Sequence, residues 1–501
     1  MLQSRVSLRE RIPLDHTSSV SLYRQIYLWV RRAILEGQLP PGQNLPSTRT
    51  LASELGVSRN TASTAYEHLQ AEGYIERTVG SGTRVAHFFA EQYPSALVAS
   101  QESSPEHTPT SPLDLPPFSR AVASQMRSIP PFLTRSSEPR AFQLGIPALD
   151  RFPYPLWAQL LTRHARYSLP RQSDYQECAG YRPLREAIAA HIAVTRGVRC
   201  QADHLLITSG AQAALDLTVR LLVERGDVVW MEDPGYPGAW TVLERAGADL
   251  TFVPVHADGL QVAIGRRLSP RARLAYVTPS HQFPLGVTMS LPQRLALLHW
   301  AREANAWIVE DDYDSEYRFS ARPVEALQGL DRANRVIYIG TFSKVLFPSV
   351  RLGYIVVPAP LMELFVVAQR FQNIHPPLLE QMALADFLAE GHFARHLRRM
   401  RGLYAARREA LLTAIRSECG HLLEAHAPVA GMHLVGWLPP GMADTQIEQR
   451  VAQQGIEVMA LSAMSRQPLL RGGLALGFAG CSEQDIREGV RILAHELRES
   501  E

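Results

Sequence analysis

The sequence is almost without lysine. Of its 51 basic side chains only one, Lys344, is a lysine, and the rest are arginines. A guanidinium serves wherever a fixed positive charge suffices, but it cannot shed a proton and attack a carbonyl. A lone lysine is therefore either a chance survivor or a nucleophile, and its surroundings must decide. Cysteine is also sparse. Cys178, Cys200, Cys419 and Cys481 are scattered and form no Cys-x-x-Cys pair. That argues against a disulfide framework or a zinc site and for a reducing, cytoplasmic setting. No apolar run is long enough to span a bilayer, and Arg5, Glu10, Arg11 and Asp15 interrupt the first residues where a signal peptide would need one. No membrane partner is expected. Net charge is nearly absent, 51 basic against 49 acidic residues. Any nucleic-acid binding must then come from a local module. What is present is 501 residues, 46% hydrophobic and 20% charged, which reads as a globular protein of more than one domain.

The first segment, 15–86, carries such a module. Leu22, Ile26, Val30, Ala33 and Ile34 recur at helical spacing, so Ser21 to about Glu36 reads as an amphipathic helix with Ser21 as N-cap. Gly37 and Pro40-Pro41-Gly42 end it. Pro46 and Ser47 open a short second helix that Gly56 breaks, and Ser58 opens a third running to about Glu72. Helix, tight turn, helix is the helix-turn-helix pattern. Tyr74–Arg77 and Thr83–Val85 read as strands, with Gly80-Ser81-Gly82 as a hairpin between them, hence a wing. The third helix starts Ser58-Arg59-Asn60-Thr61, where such a helix reaches base edges. Arginine pairs with guanine and asparagine with adenine, while serine and threonine reach phosphates or bases. A small packing module with solvated polar ends is the plainer reading of the same pattern.

Leu45-Pro46-Ser47-Thr48-Arg49-Thr50-Leu51-Ala52, Gly56-Val57-Ser58-Arg59-Asn60-Thr61, Glu72-Gly73-Tyr74-Ile75 and Gly80-Ser81-Gly82-Thr83 resemble the winged helix-turn-helix of GntR-type regulators. The resemblance implies DNA-contacting roles for Arg49, Ser58, Arg59, Asn60, Thr61 and Gly80. Residues 87–140 are rich in proline and serine and read as a linker, with a possible helix over 118–126.

From 141 to 498 helical and continuous apolar strand-like segments alternate, which predicts an α/β layer with a mainly parallel sheet. Ligands in such sheets sit at the carboxyl ends of the strands. Those ends carry Ser209-Gly210-Ala211-Gln212, Asp233-Pro234-Gly235-Tyr236, Pro279-Ser280-His281-Gln282, Glu310-Asp311-Asp312-Tyr313-Asp314 and Gly340-Thr341-Phe342-Ser343-Lys344, with Arg351 seven residues beyond the lysine. The small residues opening a helix suit a phosphate, although an ordinary strand-to-helix turn reads the same way. The carboxylates could also hold a cation, but no histidine lies near them in sequence.

One ligand uses the whole set. Pyridoxal 5′-phosphate (PLP) needs an amine to bond, a carboxylate for its ring nitrogen, a hydroxyl for its phenolic oxygen and a phosphate cradle. Lys344 would be the amine, Asp311 the carboxylate and Tyr313 the hydroxyl. Arg351, Thr341, Ser343 and the Gly210, Ala211 and Gln212 amides would cradle the phosphate, and Tyr236 would stack on the ring. The segment resembles the fold-type I aminotransferases throughout its length, including Tyr175–Gly180. With the first segment, the chain resembles MocR-type regulators. These join a GntR winged helix-turn-helix, through a linker, to an aminotransferase-like α/β domain. The resemblance implies a head-to-tail homodimer in which Tyr175 reaches the partner's phosphate site. It implies control of operator DNA by PLP or by an amine or amino-acid effector, with a working aminotransferase as the alternative.

Two positions depart from the pattern. The asparagine usual near the phenolic oxygen is absent, leaving His281 or Gln282 to replace it. The late strand Leu474-Ala475-Leu476-Gly477-Phe478 lacks the arginine that aminotransferases use for a substrate carboxylate, and Arg471 is the nearest candidate. The ligand then lacks an α-carboxylate, uses Arg471, or is PLP alone.

Overall fold

The computed structural model describes residues 12–18, 20–78, 82–86, 140–167, 174–319 and 324–500. The chain forms two compact units, Met1–Leu115 and Pro116–Glu501. Of the expected linker only residue 140 falls within the described residues, and the expected helix at 118–126 lies outside them.

The first unit packs three helices, α1 (Leu22–Leu35), α2 (Thr48–Leu55) and α3 (Arg59–Ala71). Ile26, Val30, Leu51, Ala62, Ala65, Tyr66 and Leu69 fill the space between them. The Tyr66 hydroxyl donates to the Pro46 carbonyl at 3.0 Å and pins α3 to the entry of α2. Gly56 ends α2 in the left-handed region at φ 69°, where a β-carbon is strained. Ser47 and Ser58 cap their helices by accepting from the N–H groups of Thr50 and Thr61, each at 3.1 Å. Ser21, expected to do the same, does not. Its hydroxyl caps nothing, and its carbonyl accepts from Arg24 and Gln25 instead. The wing has one strand more than expected. β1 (Asn44–Leu45) joins β2 (Ile75–Thr78) and β3 (Gly82–Val85) in the order β1-β3-β2. Two residues are too few to show a period.

The second unit is built on an eight-stranded sheet of β4 (Leu205–Thr208), β5 (Val228–Asp233), β6 (Asp249–His256), β7 (Gly259–Leu260), β8 (Leu274–Val277), β9 (Trp307–Asp312), β10 (Val336–Thr341) and β11 (Gly353–Val356). Its order is β4-β11-β10-β9-β8-β5-β6-β7. The run from β10 to β6 is parallel, as expected from apolar strands covered on both faces. β11 departs from that expectation and runs antiparallel between β4 and β10. One face packs under helices Ala211–Leu222, Pro237–Arg245 and Met362–Asn373 through Leu215, Val219, Leu243 and Phe365. A second, antiparallel sheet follows, in the order β12 (Glu424–Ala425), β13 (His433–Trp437), β15 (Gly473–Gly477) and β14 (Met459–Ala460). Helix Glu483–Arg498 belongs to the same core as β15, with Ile486, Val490 and Leu493 beside Leu474 and Leu476.

Candidate cofactor site and DNA-reading helix

The register of the large sheet gathers the strand ends. Thr341, Gly353 and Thr208 stand side by side across β10, β11 and β4. Beyond Thr208 the chain turns through Gly210 at φ 99°, and helix Ala211–Leu222 begins. The first N–H groups of that helix have no partner within it. Gly353 lies so close to Gly210 that an added β-carbon would come within 2.8 Å of its backbone. Arg351, itself left-handed at φ 48°, lays its guanidinium 3.4 Å from where a Gly210 β-carbon would stand and donates to the Ser209 carbonyl at 2.8 Å. Ser343 donates its N–H to the Thr341 hydroxyl at 3.2 Å, and its own buried Oγ has no partner. Thr341, Ser343, Arg351 and the Gly210–Gln212 turn therefore occupy one corner.

Lys344 follows that corner. Its Nζ donates to the Gly145 carbonyl at 3.1 Å. Gly145 sits at φ 68°, a conformation that strains any side chain, and a β-carbon there would come within 2.5 Å of Nζ and push the lysine end aside. Asp311 ends β9. Strand alternation puts it on the face of Val309 and Tyr276, and the Tyr276 hydroxyl donates to its Oδ2 at 2.6 Å. Its Oδ1 is buried with no partner. Burial pushes the Asp311 carboxyl up to about 6; the Tyr276 hydrogen bond and the charge of Lys344 oppose this, and the charge of Asp312 adds to it. The same alternation separates the neighbouring acids. Glu310 accepts from the N–H groups of Leu327 and Gln328 at 2.8 Å each, and Asp312 accepts from Arg196 at 2.8 Å and from Tyr338 at 2.6 Å. These carboxylates are each committed to separate partners, so the run does not converge on one cation.

Of the two candidates for the missing asparagine, His281 is the one with an uncommitted side-chain atom. Its Nδ1 lies 2.9 Å from Asp314 and 3.0 Å from the Tyr313 hydroxyl, and its Nε2 is buried with no partner. Gln282 is committed elsewhere, donating to Glu232, Pro234 and Phe283. The fold also brings His433 to this pair, so that His281, Asp314 and His433 offer ligand atoms within 4.8 Å of one another. Sequence distance had hidden that gathering. The His433 Nε2 bonds the Pro284 carbonyl at 2.9 Å. Tyr236 donates to the Gln212 side chain at 3.3 Å, and its ring meets Phe283 edge-on at 5.7 Å. Tyr175 stands apart, 77% exposed, with its ring 6.3 Å from that of His375. Arg471 is not near a free carboxylate position. It pairs with Glu424 at 2.7 Å and donates to the Leu438 and Trp437 carbonyls.

Three residues with roles here were not assigned any from sequence: Tyr276, Gly145 and Asp314. Asp314 sits in the acidic run and was in view. The other two depend on strand register and on a contact between residues about 200 apart, neither of which one sequence displays.

A buried polar atom without a partner costs about 1–3 kcal/mol. Asp311 Oδ1, His281 Nε2 and Ser343 Oγ are three such atoms, one an acceptor, one an imidazole nitrogen and one a hydroxyl. A ligand with a ring N–H, a phenolic oxygen and a phosphate matches all three, so the residues present fit PLP.

In the first unit Arg49, Ser58, Arg59 and Asn60 are exposed and Thr61 is half-buried. The Ser58 and Thr61 hydroxyls lie 2.8 Å apart, which leaves Arg59 and Asn60 as the uncommitted polar groups opening α3. Gly80 lies outside the described residues.

Fold and site together define a DNA-binding unit joined to an aminotransferase-type unit. Residues 22–85 match the family model of bacterial regulatory proteins of the gntR family, and residues 145–493 that of aminotransferases of class I and II. The chain belongs to the MocR-type regulators within the GntR family. It is 42% identical to the probable rhizopine catabolism regulatory protein MocR of Rhizobium meliloti, over 96% of this chain and 94% of that one. Among solved structures it resembles the kynurenine aminotransferase of Pyrococcus horikoshii in complex with PMP. There the identity is 26% and the TM-score 0.67, over 76% of this chain and 94% of that one. It also resembles the α-aminoadipate aminotransferase LysN of Thermus thermophilus, complexed with N-(5′-phosphopyridoxyl)-L-leucine. In that case the identity is 28% and the TM-score 0.66, over 75% of this chain and 98% of that one. No helix among the described residues is long and apolar enough to cross a membrane.

Proposed function

We propose that this regulator binds operator DNA through 15–86 and PLP through 141–498, and that PLP itself or an amine or amino-acid effector sets its affinity for DNA. The observation that carries the reading is the set of unpartnered buried atoms on Asp311, His281 and Ser343 around the sole lysine. When bound, the cofactor supplies an electrophilic carbon open to amines and an electron-withdrawing ring. The chain does the rest. Asp311, fixed by Tyr276, holds a proton at the ring nitrogen. His281 and Tyr313 face the phenolic oxygen, with Asp314 orienting the imidazole. Arg351, Thr341, Ser343 and the Gly210, Ala211 and Gln212 amides take the phosphate, Tyr236 covers the ring, and Lys344 anchors the aldehyde carbon. Arg59 and Asn60 read bases while Arg49 and the helix caps position α3.

The working unit in this reading is a head-to-tail homodimer in the cytoplasm. Leu364, Val367 and Phe371 form an exposed apolar stripe on helix Met362–Asn373, with Phe371 87% exposed and Ile374 exposed just past the helix end. Such a stripe marks a contact surface, and Tyr175 is exposed too, as it must be to reach a partner's phosphate corner. An effector shifts DNA binding only if it favours one arrangement of the two units. The test is operator binding by the full chain with and without PLP and amines, alongside an assay for keto-acid release. Effector-dependent binding without turnover supports regulation. Sustained turnover with indifferent DNA binding would favour the aminotransferase reading, which the intact Lys344 keeps available.

A further inference from the structure

Strand β15 has two unlike faces. Leu474 and Leu476 join the large core beside Ile486 and Leu493. Gly473, Ala475 and Gly477 face the other way. Ala475 is fully buried and clusters with Leu144, Met459, Leu461 and Met464, and Phe283 packs against that cluster. Two members border the cofactor corner. Leu144 precedes Gly145, whose carbonyl holds the Lys344 amine. The Phe283 ring meets Tyr236 at 5.7 Å, Tyr313 at 6.0 Å and His433 at 5.7 Å. The groups of this cluster that border the site are thus leucine and phenylalanine, with methionine and alanine packed behind them. The cations of the C-terminal loop are committed away from it. Arg471 pairs with Glu424, and Arg466 pairs with Glu244 at 2.9 Å while lying over the Trp240 ring. His433 supplies no charge either, since burial, and then neighbouring His281, lower its pKa to about 4.

We infer that the effector of this site is a primary amine with an apolar body and no α-carboxylate. The inference rests on the PLP reading above and narrows it. An ionised carboxylate placed against this apolar cluster would be desolvated with Arg466 and Arg471 already paired elsewhere, whereas a hydrocarbon gains by burial there.

The test is calorimetric titration of the PLP-loaded full chain with matched pairs, 2-phenylethylamine against L-phenylalanine and isoamylamine against L-leucine. Borohydride labelling of Lys344 in the same preparation verifies the cofactor. Each amine is expected to bind at least tenfold more tightly than its amino acid. Ala475→Arg is expected to narrow or reverse that preference; if the variant does not fold, the wild-type pairs decide. Equal or tighter binding of the amino acids overturns the inference, and so does failure of both members to bind a chain whose Lys344 is labelled. Absence of labelling instead refutes the PLP reading beneath it.

Discussion

Asp311→Asn should act in opposite directions on the empty and the loaded protein. In the empty protein the carboxylate is a liability: it is buried, one oxygen has no partner, and its pKa stands at about 6 against an ordinary 3.8. That difference corresponds to about 3 kcal/mol at neutral pH. Asparagine removes the charge and still accepts from Tyr276, but it leaves a buried amide donor unpartnered, at a cost of about 1–3 kcal/mol. The net effect on the unliganded protein is therefore close to zero or mildly stabilising. The sign with pH follows. An acid whose folded pKa is raised binds more protons folded than unfolded, so its penalty is absent below about 4 and complete above about 6. Any stabilisation by the variant should thus vanish in acid. The loaded protein loses a charge-assisted hydrogen bond to the ring nitrogen, about 1.5–3 kcal/mol, or about 10–150-fold in PLP affinity. Thermal unfolding of the empty protein at pH 4 and pH 8, with PLP titration at pH 8, measures both effects. A variant that binds PLP as tightly as wild type would refute the role of Asp311. One that destabilises the empty protein by several kcal/mol would refute the burial argument.

Four other variants probe separate parts of the chain. Gly145→Ala forces a β-carbon into Lys344 Nζ at a strained φ, so borohydride labelling of Lys344 should fall at least tenfold while the melting of the DNA-binding unit is unchanged. Arg351→Ala should weaken PLP by tenfold or more but leave affinity for pyridoxal, which has no phosphate, nearly unaltered; equal losses for both would contradict its place in the phosphate corner. Ser58→Ala removes the α3 cap and should lower the stability of the first unit by about 1 kcal/mol. Arg59→Ala should leave that stability alone, weaken operator binding and flatten its salt dependence.

The legible parts of this chain were those with a local period or a local punctuation mark. The apolar runs of β4, β5, β8, β9 and β10 and the Gly56 break in α2 are visible because four to six residues or one left-handed turn determine them. The residues proposed to hold the cofactor were in view for a related reason. Thr341, Ser343, Lys344, Asp311 and His281 all lie at strand ends, where an α/β sheet gathers its ligands. What was not legible depends on pairing at a distance. Tyr276 reaches Asp311 because β8 and β9 pair in one register and not another. Gly145 meets Lys344 across the fold, and β11 runs antiparallel because of where its connection returns. Arg471 was the nearest arginine in sequence, and its ion pair with Glu424 and its bonds to the Leu438 and Trp437 carbonyls become visible only in the fold.

The central claim is that the one lysine of this chain holds PLP. Borohydride reduction of the purified protein, followed by peptide mass mapping, tests it most directly. A phosphopyridoxyl group is expected on Lys344 and nowhere else, and is expected to be lost in Lys344→Ala. A protein that carries no such group after incubation with excess PLP would contradict it.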